Sequence, residues 1–251
     1  MLSNKKGSIR GDARVQDVAI GIFCKTPTPG QSKTRLSPPL RPEDCAAISA
    51  CFIRDLSATI DQVARDGGAI GYAVYTPRGT EAALRALLPS SFQLLPQREG
   101  DFGVRLAAAT RELLAMHAGA ILVNADSPTL PASILRAAVD ATRRGGVVLS
   151  PALDGGYTLI GLSRMHERLF ENIPWSTSQV HQRTVERARE IGVHVIGVPG
   201  WYDVDDAASL AVLQAELAGG ALPFAAASTG AAAPATRAYL AWRDALARST
   251  P

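Results

Sequence analysis

The sequence predicts an α/β protein built on a mainly parallel sheet, on three observations. Residues 18–24, V-A-I-G-I-F-C, are an unbroken apolar run that stops abruptly, as a strand buried on both faces of a parallel sheet does. Strand-like and helix-like stretches then alternate as far as Met116, a β-α-β-α rhythm that requires parallel strands joined by right-handed crossovers. Finally, 251 residues of which 47% are hydrophobic and 20% charged suffice for one sizeable core and exclude disorder throughout.

The loop after the first strand is the most informative stretch. Lys25 follows the apolar run at once, Pro27, Pro29 and Gly30 stiffen and turn the chain, and Lys33, Thr34 and Arg35 occupy successive positions. A rigid loop at the carboxyl end of a strand, carrying three cations and a hydroxyl, suits a phosphorylated ligand. It is not a P-loop, because Ser32 stands where G-x-x-x-x-G-K-[ST] needs glycine and Pro27 replaces the leading glycine. Nor is it a dinucleotide fingerprint, since Gly30 is alone among prolines and polar residues. The competing reading is a surface loop of solvated Lys and Arg, against which speaks the placement of Lys25 directly on the strand end.

Further on, Pro42-Glu43-Asp44 opens a helix whose Ile48, Phe52, Leu56, Ile60 and Val63 recur at three- and four-residue steps until Gly67-Gly68 ends it. Residues 69–76 read as a second strand, 80–88 as a short helix and 92–95 as a third strand. The segment Q-R-E-G-D-F-G, Gln97 to Gly103, leads into a helix ending near Met116, with Asp101 placed as its N-cap. Residues 120–123 form a strand that runs into Asn124-Ala125-Asp126-Ser127-Pro128. A carboxylate held there can place one charge on a divalent metal that bridges phosphates, or can be a plain Asx-turn residue.

Residues 147–151 and 157–162 are strand-like runs around Asp154-Gly155-Gly156, a good hairpin turn. In the F-E-N-I-P-W-S-T segment that follows, Trp175 either stacks on a sugar or base or packs under a loop. A helix over 178–191 and a strand over 193–198 precede Trp201-Tyr202-Asp203-Val204-Asp205-Asp206. Asp205 or Asp206 caps the next helix, with Leu210, Leu213 and Leu217, and this leaves Asp203 or its neighbour to reach the site as a second metal ligand. Residues 218–235 are uncharged and rich in Ala, Gly and Pro, which reads as a linker, and helical spacing returns through Tyr239, Trp242 and Leu246.

The net charge is +3, of which the polar arm over residues 1–17 carries +2, so the body is close to neutral and lacks the electrostatic footprint of a nucleic-acid binder. Cys24, Cys45 and Cys51 are an odd set without paired or metal-like spacing, which points to a reducing cytoplasm. No signal-peptide core and no membrane-helix stretch is seen, and the four histidines are scattered without zinc-ligand or triad spacing.

Five of these segments, in order, resemble a bacterial family of glycosyltransferase-like proteins in the nucleotide-diphospho-sugar transferase (GT-A) superfamily, some of whose members are assigned to arsenosugar biosynthesis. They are the first loop from Phe23 to Leu36, Q-R-E-G-D-F-G, N-A-D-S-P, D-G-G-Y-T-L-I-G-L with the segment after it, and W-Y-D-V-D. The resemblance implies a three-layer αβα sandwich, Rossmann-like with a mainly parallel sheet. It also implies transfer of a sugar from a nucleoside diphosphate sugar to a small-molecule acceptor, while the charge and hydropathy above lead us to expect no nucleic-acid or membrane partner.

On that reading Lys25, Lys33 and Arg35, with Pro29, Gly30 and Thr34 of the same loop, receive the diphosphate, while Gln97, Asp101, Gly155 and Gly156 lie beside the nucleotide. Asp126 holds Mg²⁺ or Mn²⁺ with help from Asp203 or Asp205. The departure is Asn124, a neutral oxygen where the superfamily's D-x-D pair has its first carboxylate. Asp154, Asp203 and Asp205 are all open as general base. Two alternatives stand beside this one: a nucleotidyltransferase that releases pyrophosphate from a nucleoside triphosphate, and a nucleotide-binding protein without catalysis. The expected organisation is an arm over 1–17, a nucleotide-binding domain over 18–217, a linker over 218–235 and a C-terminal helix over 236–251; oligomeric state is left open.

Overall fold

The apolar run becomes β1 (Val15–Lys25), an interior strand of the sheet. The computed structural model describes residues 15–249, so residues 1–14 of the expected arm lie outside the described residues, and β1 begins within the arm's last three positions. In order follow α1 (Pro42–Arg65), β2 (Ala69–Thr76), α2 (Glu81–Arg85), β3 (Gln93–Pro96), α3 (Phe102–Met116), β4 (His117–Asn124) and α4 (Ala132–Arg144). Then come β5 (Val147–Pro151), β6 (Tyr157–Leu162), α5 (Val180–Glu190), β7 (Val195–Gly197), α6 (Ala207–Leu217) and α7 (Pro234–Ser249).

Local chemistry sets the helix starts. Pro42 opens α1, with Glu43 and Asp44 in its first turn against the positive end of the helix dipole. Asp101 caps α3 by accepting the Val104 amide at 2.9 Å, and Asp206 caps α6 in a reciprocal box with Ser209. α4 occupies a stretch for which the sequence reading assigns no element, although Ile134, Leu135, Ala138 and Val139 line its buried face at helical spacing.

Among the described residues the sheet has seven strands in the order β3-β2-β1-β4-β6-β5-β7. β1 pairs in parallel with β2 and β4, as do β2 with β3 and β5 with β7. β6 alone is reversed, antiparallel to both neighbours, because the Asp154-Gly155-Gly156 hairpin turns the chain straight back along β5. Strand alternation divides the core between two faces. Val18, Ile20, Ile22 and Cys24 join one cluster with α1, α4, α6 and α7, while Ala19 joins the other with α3 and α5. β4 splits the same way, Ile121 and Val123 against Ala120 and Leu122, so helices cover both faces in a three-layer αβα sandwich.

The uncharged stretch from 218 packs over the body. Phe224 meets Trp201 edge-on at 5.7 Å, and the Ala231 amide donates to the Thr129 carbonyl at 2.8 Å. α7 then lies on α1. Buried Asp55 accepts the amides of Ala235 and Thr236 at 2.9 and 2.8 Å, and the Tyr239 hydroxyl donates to Asp44 at 2.8 Å. All three cysteines are free and buried, and burial, then the nearby Asp126 charge, pushes the Cys24 thiol up to about 12. Among the described residues no helix is long and apolar enough to cross a membrane.

Candidate functional site

β1 and β4 lie side by side at the centre of the sheet, Phe23 opposite Asn124, and release their chains at the same edge. The reversed β6 begins at that edge, since its Leu159 pairs with Val123 near the end of β4. The loops after β1 and β4, the β5–β6 hairpin and residues 201–206 therefore converge there, the usual place for a ligand on an open α/β sheet. Two adjoining cavities of about 250 and 220 Å³ open between them and share Phe23, Ala125 and Asp126.

The first cavity carries the cations. Its loop folds on itself: the amides of Gln31 and Ser32 each reach the Thr28 carbonyl at 3.1 Å, and the Ser32 hydroxyl accepts the Thr28 amide at 3.0 Å. Pro29 and Gly30, the latter at φ 72°, shape this turn without lining the cavity, whereas Lys25, Lys33, Thr34 and Arg35 do line it. Lys33 takes the left-handed conformation, φ 51°, which few residues other than glycine adopt. Its side chain is 7% exposed, and its Nζ lies 2.7 Å from Asp126 Oδ1, 2.9 Å from Asp205 Oδ1 and 2.6 Å from the Val204 carbonyl oxygen.

Burial works against the Lys33 charge, but Asp126 and Asp205 outweigh it and hold the ammonium above its ordinary pKa. Arg35, 71% exposed, reaches the other oxygen of Asp205 at 2.8 Å. Burial likewise opposes ionisation of Asp205, and Lys33 and Arg35 keep its carboxyl below the usual carboxylate range. All three cations expected to meet phosphate line this cavity: Lys25 and Arg35 are exposed to it, Arg35 with one bond to Asp205, whereas Lys33 is buried between two carboxylates.

The second cavity is apolar and acidic. Phe23, Phe102 and Trp175 form a line of edge-on rings at 5.5 and 5.1 Å along its wall. Trp175 therefore both packs and faces the cavity. Asp126, Asp154 and Asp203 line the cavity, and among the described residues no Lys, Arg or His lines it. Burial, and then the charges of Asp154, Asp205 and Asp126, push the Asp203 carboxyl up to about 7. Asp154 accepts the Gly156 amide at 2.8 Å, which closes the hairpin turn.

Gly156 faces the cavity, whereas Gly155, φ 89°, makes its close approach to protein: a Cβ there would overlap the Ser178 backbone, and its carbonyl accepts the His181 amide at 3.0 Å. Gln97 is likewise engaged within the protein. Its Nε2 donates to the carbonyls of Cys24 and Val74 at 3.1 and 2.9 Å, and its Oε1 accepts from Arg105 at 2.8 Å. It braces the ends of β1 and β2, and Asp101 serves as the α3 cap. Arg105, which lies over the rings of Phe23 and Phe102 at 5.8 and 5.7 Å, is a cation beside the site that the sequence reading missed. Its signal was an arginine set against the buried stripe of α3.

The same geometry bears on a metal. Among the described residues no three His, Cys, Asp or Glu side chains come together in a way that could hold an ion. Asn124 is turned to local use, its Oδ1 accepting from the Ser127 hydroxyl at 3.0 Å. Asp126, Asp205 and the Val204 carbonyl nevertheless direct three oxygens at one point, where the Lys33 ammonium sits. These are hard oxygen donors of the kind that Mg²⁺ or Mn²⁺ takes, so the set fits a small cation.

A doubly covered, mainly parallel sheet with loops converging at the carboxyl ends of its central strands is the architecture of the nucleotide-diphospho-sugar transferase fold. Solved structures agree. A protein from Desulfovibrio desulfuricans G20, provisionally named a nucleotide-diphospho-sugar transferase, is similar with a TM-score of 0.77 and 26% identity, over 92% of this chain and 96% of that one. CMP:2-keto-3-deoxy-manno-octonic acid synthetase, in complex with CTP, shares the fold at TM-score 0.50 and 13% identity, over 81% and 99%. So does the 4-diphosphocytidyl-2C-methyl-D-erythritol synthase of Anaerococcus prevotii DSM 20548, at 0.51 and 10%, over 81% and 100%. Residues 59–177 match the model of a family described as an uncharacterized protein conserved in bacteria (DUF2064), a stretch that includes Q-R-E-G-D-F-G, N-A-D-S-P and D-G-G-Y. No curated protein matches the chain.

Proposed function

We propose that this chain is a transferase that takes a sugar from a nucleoside diphosphate sugar and passes it to a small-molecule acceptor. The observation that carries the reading is the pair of adjoining cavities, one presenting Lys25 and Arg35, the other aromatic and acidic with no cation among the described residues that line it. A diphosphate belongs in the first, where charge-assisted hydrogen bonds favour it most as it departs. The acceptor belongs in the second, against the Phe102 and Trp175 rings.

In the transfer, an acceptor oxygen bonds to the anomeric carbon as the bond from that carbon to the diphosphate breaks, and the acceptor's proton passes to a carboxylate. Asp205 is committed to Lys33 and Arg35, so Asp203 and Asp154, which face the second cavity, are the groups placed to take it. Mg²⁺ or Mn²⁺, if bound, belongs to Asp126 and Asp205 with the Val204 carbonyl, and would neutralise charge on the departing diphosphate.

The cytidylyltransferase-type fold neighbours keep a second reading in view, nucleotidyl transfer from a nucleoside triphosphate. A thermal-shift panel of nucleoside triphosphates, diphosphates and sugar nucleotides, with and without Mn²⁺, separates the two. Stabilisation by a sugar nucleotide, with release of nucleoside diphosphate on adding acceptor, is the expected result. Stabilisation by a triphosphate alone, with pyrophosphate released, would replace it by the second reading.

A further inference from the structure

We infer that Lys33 is a built-in counter-ion that fills the cation position of the free protein, so that Asp126 and Asp205 take up no divalent ion until the lysine is drawn away. The ammonium has three oxygen partners at 2.6–2.9 Å, as many as it has hydrogens to donate. Phe52 lies beneath it, 5.8 Å from Nζ to the ring centroid. The side chain reaches this place from a backbone in the left-handed region, a conformation that persists in a non-glycine residue when its surroundings favour it.

The oxygens are themselves fixed. The Val204 amide donates to the Asp126 carbonyl at 2.9 Å, which ties the loop after β4 to the loop before α6. The Asp205 amide donates to the Ser209 hydroxyl at 2.9 Å, and Arg35 holds the second oxygen of its carboxylate. A divalent ion placed among these oxygens would meet a buried positive charge at hydrogen-bond distance, a repulsion that the two carboxylates cannot serve both ways. One event releases it: an anion in the first cavity, which Lys33 also lines, can draw the ammonium toward itself and leave the oxygens free.

That last step rests on the transferase reading, but the occupancy of the cation position does not, and the test addresses the occupancy alone. Mn²⁺ without nucleotide is titrated into the wild-type protein and the variant Lys33→Met, and free Mn²⁺ is followed by its electron paramagnetic resonance signal. The wild type should leave the ion free at concentrations where Lys33→Met binds one equivalent, a gain of about tenfold or more in affinity, and adding Asp205→Asn to the variant should abolish that gain. Tight Mn²⁺ binding by the wild type would overturn the inference, and so would a folded Lys33→Met that binds no better. If Lys33→Met does not fold, Lys33→Gln, which keeps a donor for the Val204 carbonyl, takes its place. Failure of every nucleotide in the thermal-shift panel would count against the transferase reading and leave the Mn²⁺ result standing.

Discussion

Arg35 and Lys33 are two residues apart and have opposite situations. Arg35 is mostly exposed and holds one carboxylate oxygen, so its guanidinium can turn to an incoming phosphate at little cost. Arg35→Ala should weaken binding of a sugar nucleotide or nucleoside diphosphate by about 1.5–3 kcal/mol, the worth of a charge-assisted hydrogen bond, and leave nucleoside binding as it was. Calorimetric titration with the nucleoside and its diphosphate checks this, and an equal loss for both would remove Arg35 from phosphate recognition. Asp203 faces the acceptor cavity instead. Asp203→Asn keeps its shape and should lower turnover by about 10²–10⁴-fold, the usual contribution of a positioned base, with nucleotide affinity unchanged. A variant with wild-type turnover would pass the role to Asp154.

At the scale of elements, the tertiary cap on α7 is the feature with the plainest energetic consequence. Asp55 sits in the middle of α1 yet accepts both first-turn amides of a helix 180 positions later. Asp55→Ala leaves those amides without their acceptor and should cost about 1–2 kcal/mol in urea unfolding, as loss of a helix cap does, without altering ligand affinity. No local pattern announces such a cap, because the acceptor and the helix it serves share no stretch of sequence. The elements that could be read from sequence owed this to local rules: β1 to an unbroken apolar run, α3 and α6 to Asp101 and Asp206 at their starts, the reversal of β6 to Asp-Gly-Gly. In the site, Lys25, Lys33, Arg35, Asp126 and Asp205, all singled out by their place in the sequence, line one cavity. What the sequence could not convey was pairing: that Lys33 turns to Asp126 and Asp205, that Gln97 braces two strand ends, and that Gly155 meets Ser178, all of which depend on segments brought together from far along the chain.

For the whole molecule, the seam between α1 and α7 ties the end of the chain to its first helix, and Asp44 makes that seam sensitive to acid. Burial alone would raise the Asp44 pKa, but hydrogen bonds from Arg41 and Tyr239, with the Arg41 and Arg243 charges, hold it below its ordinary 3.8. Since the folded value is the lower one, the stabilisation is fully present above the unfolded value and is lost as pH falls through 3.8 toward the folded value. Melting temperature should therefore fall in that window more steeply for the wild type than for Asp44→Asn. Parallel profiles for the two proteins would mean that the seam owes nothing to this charge.

The buried thiols turn the fold into its own kinetic reporter. Cys24 lies under the first cavity and Cys45 and Cys51 within α1, so a bulky aromatic disulfide reagent can reach them only when the sheet end or the helix opens. The native protein should react with such a reagent at the rate of those openings, and a molecule seated above Cys24 should slow the first of them. Slowing of one of the three thiol reactions would then pick out ligands from a chemical library whatever the donor, acceptor or reaction, by a rise in colour that stops one thiol short of the full count.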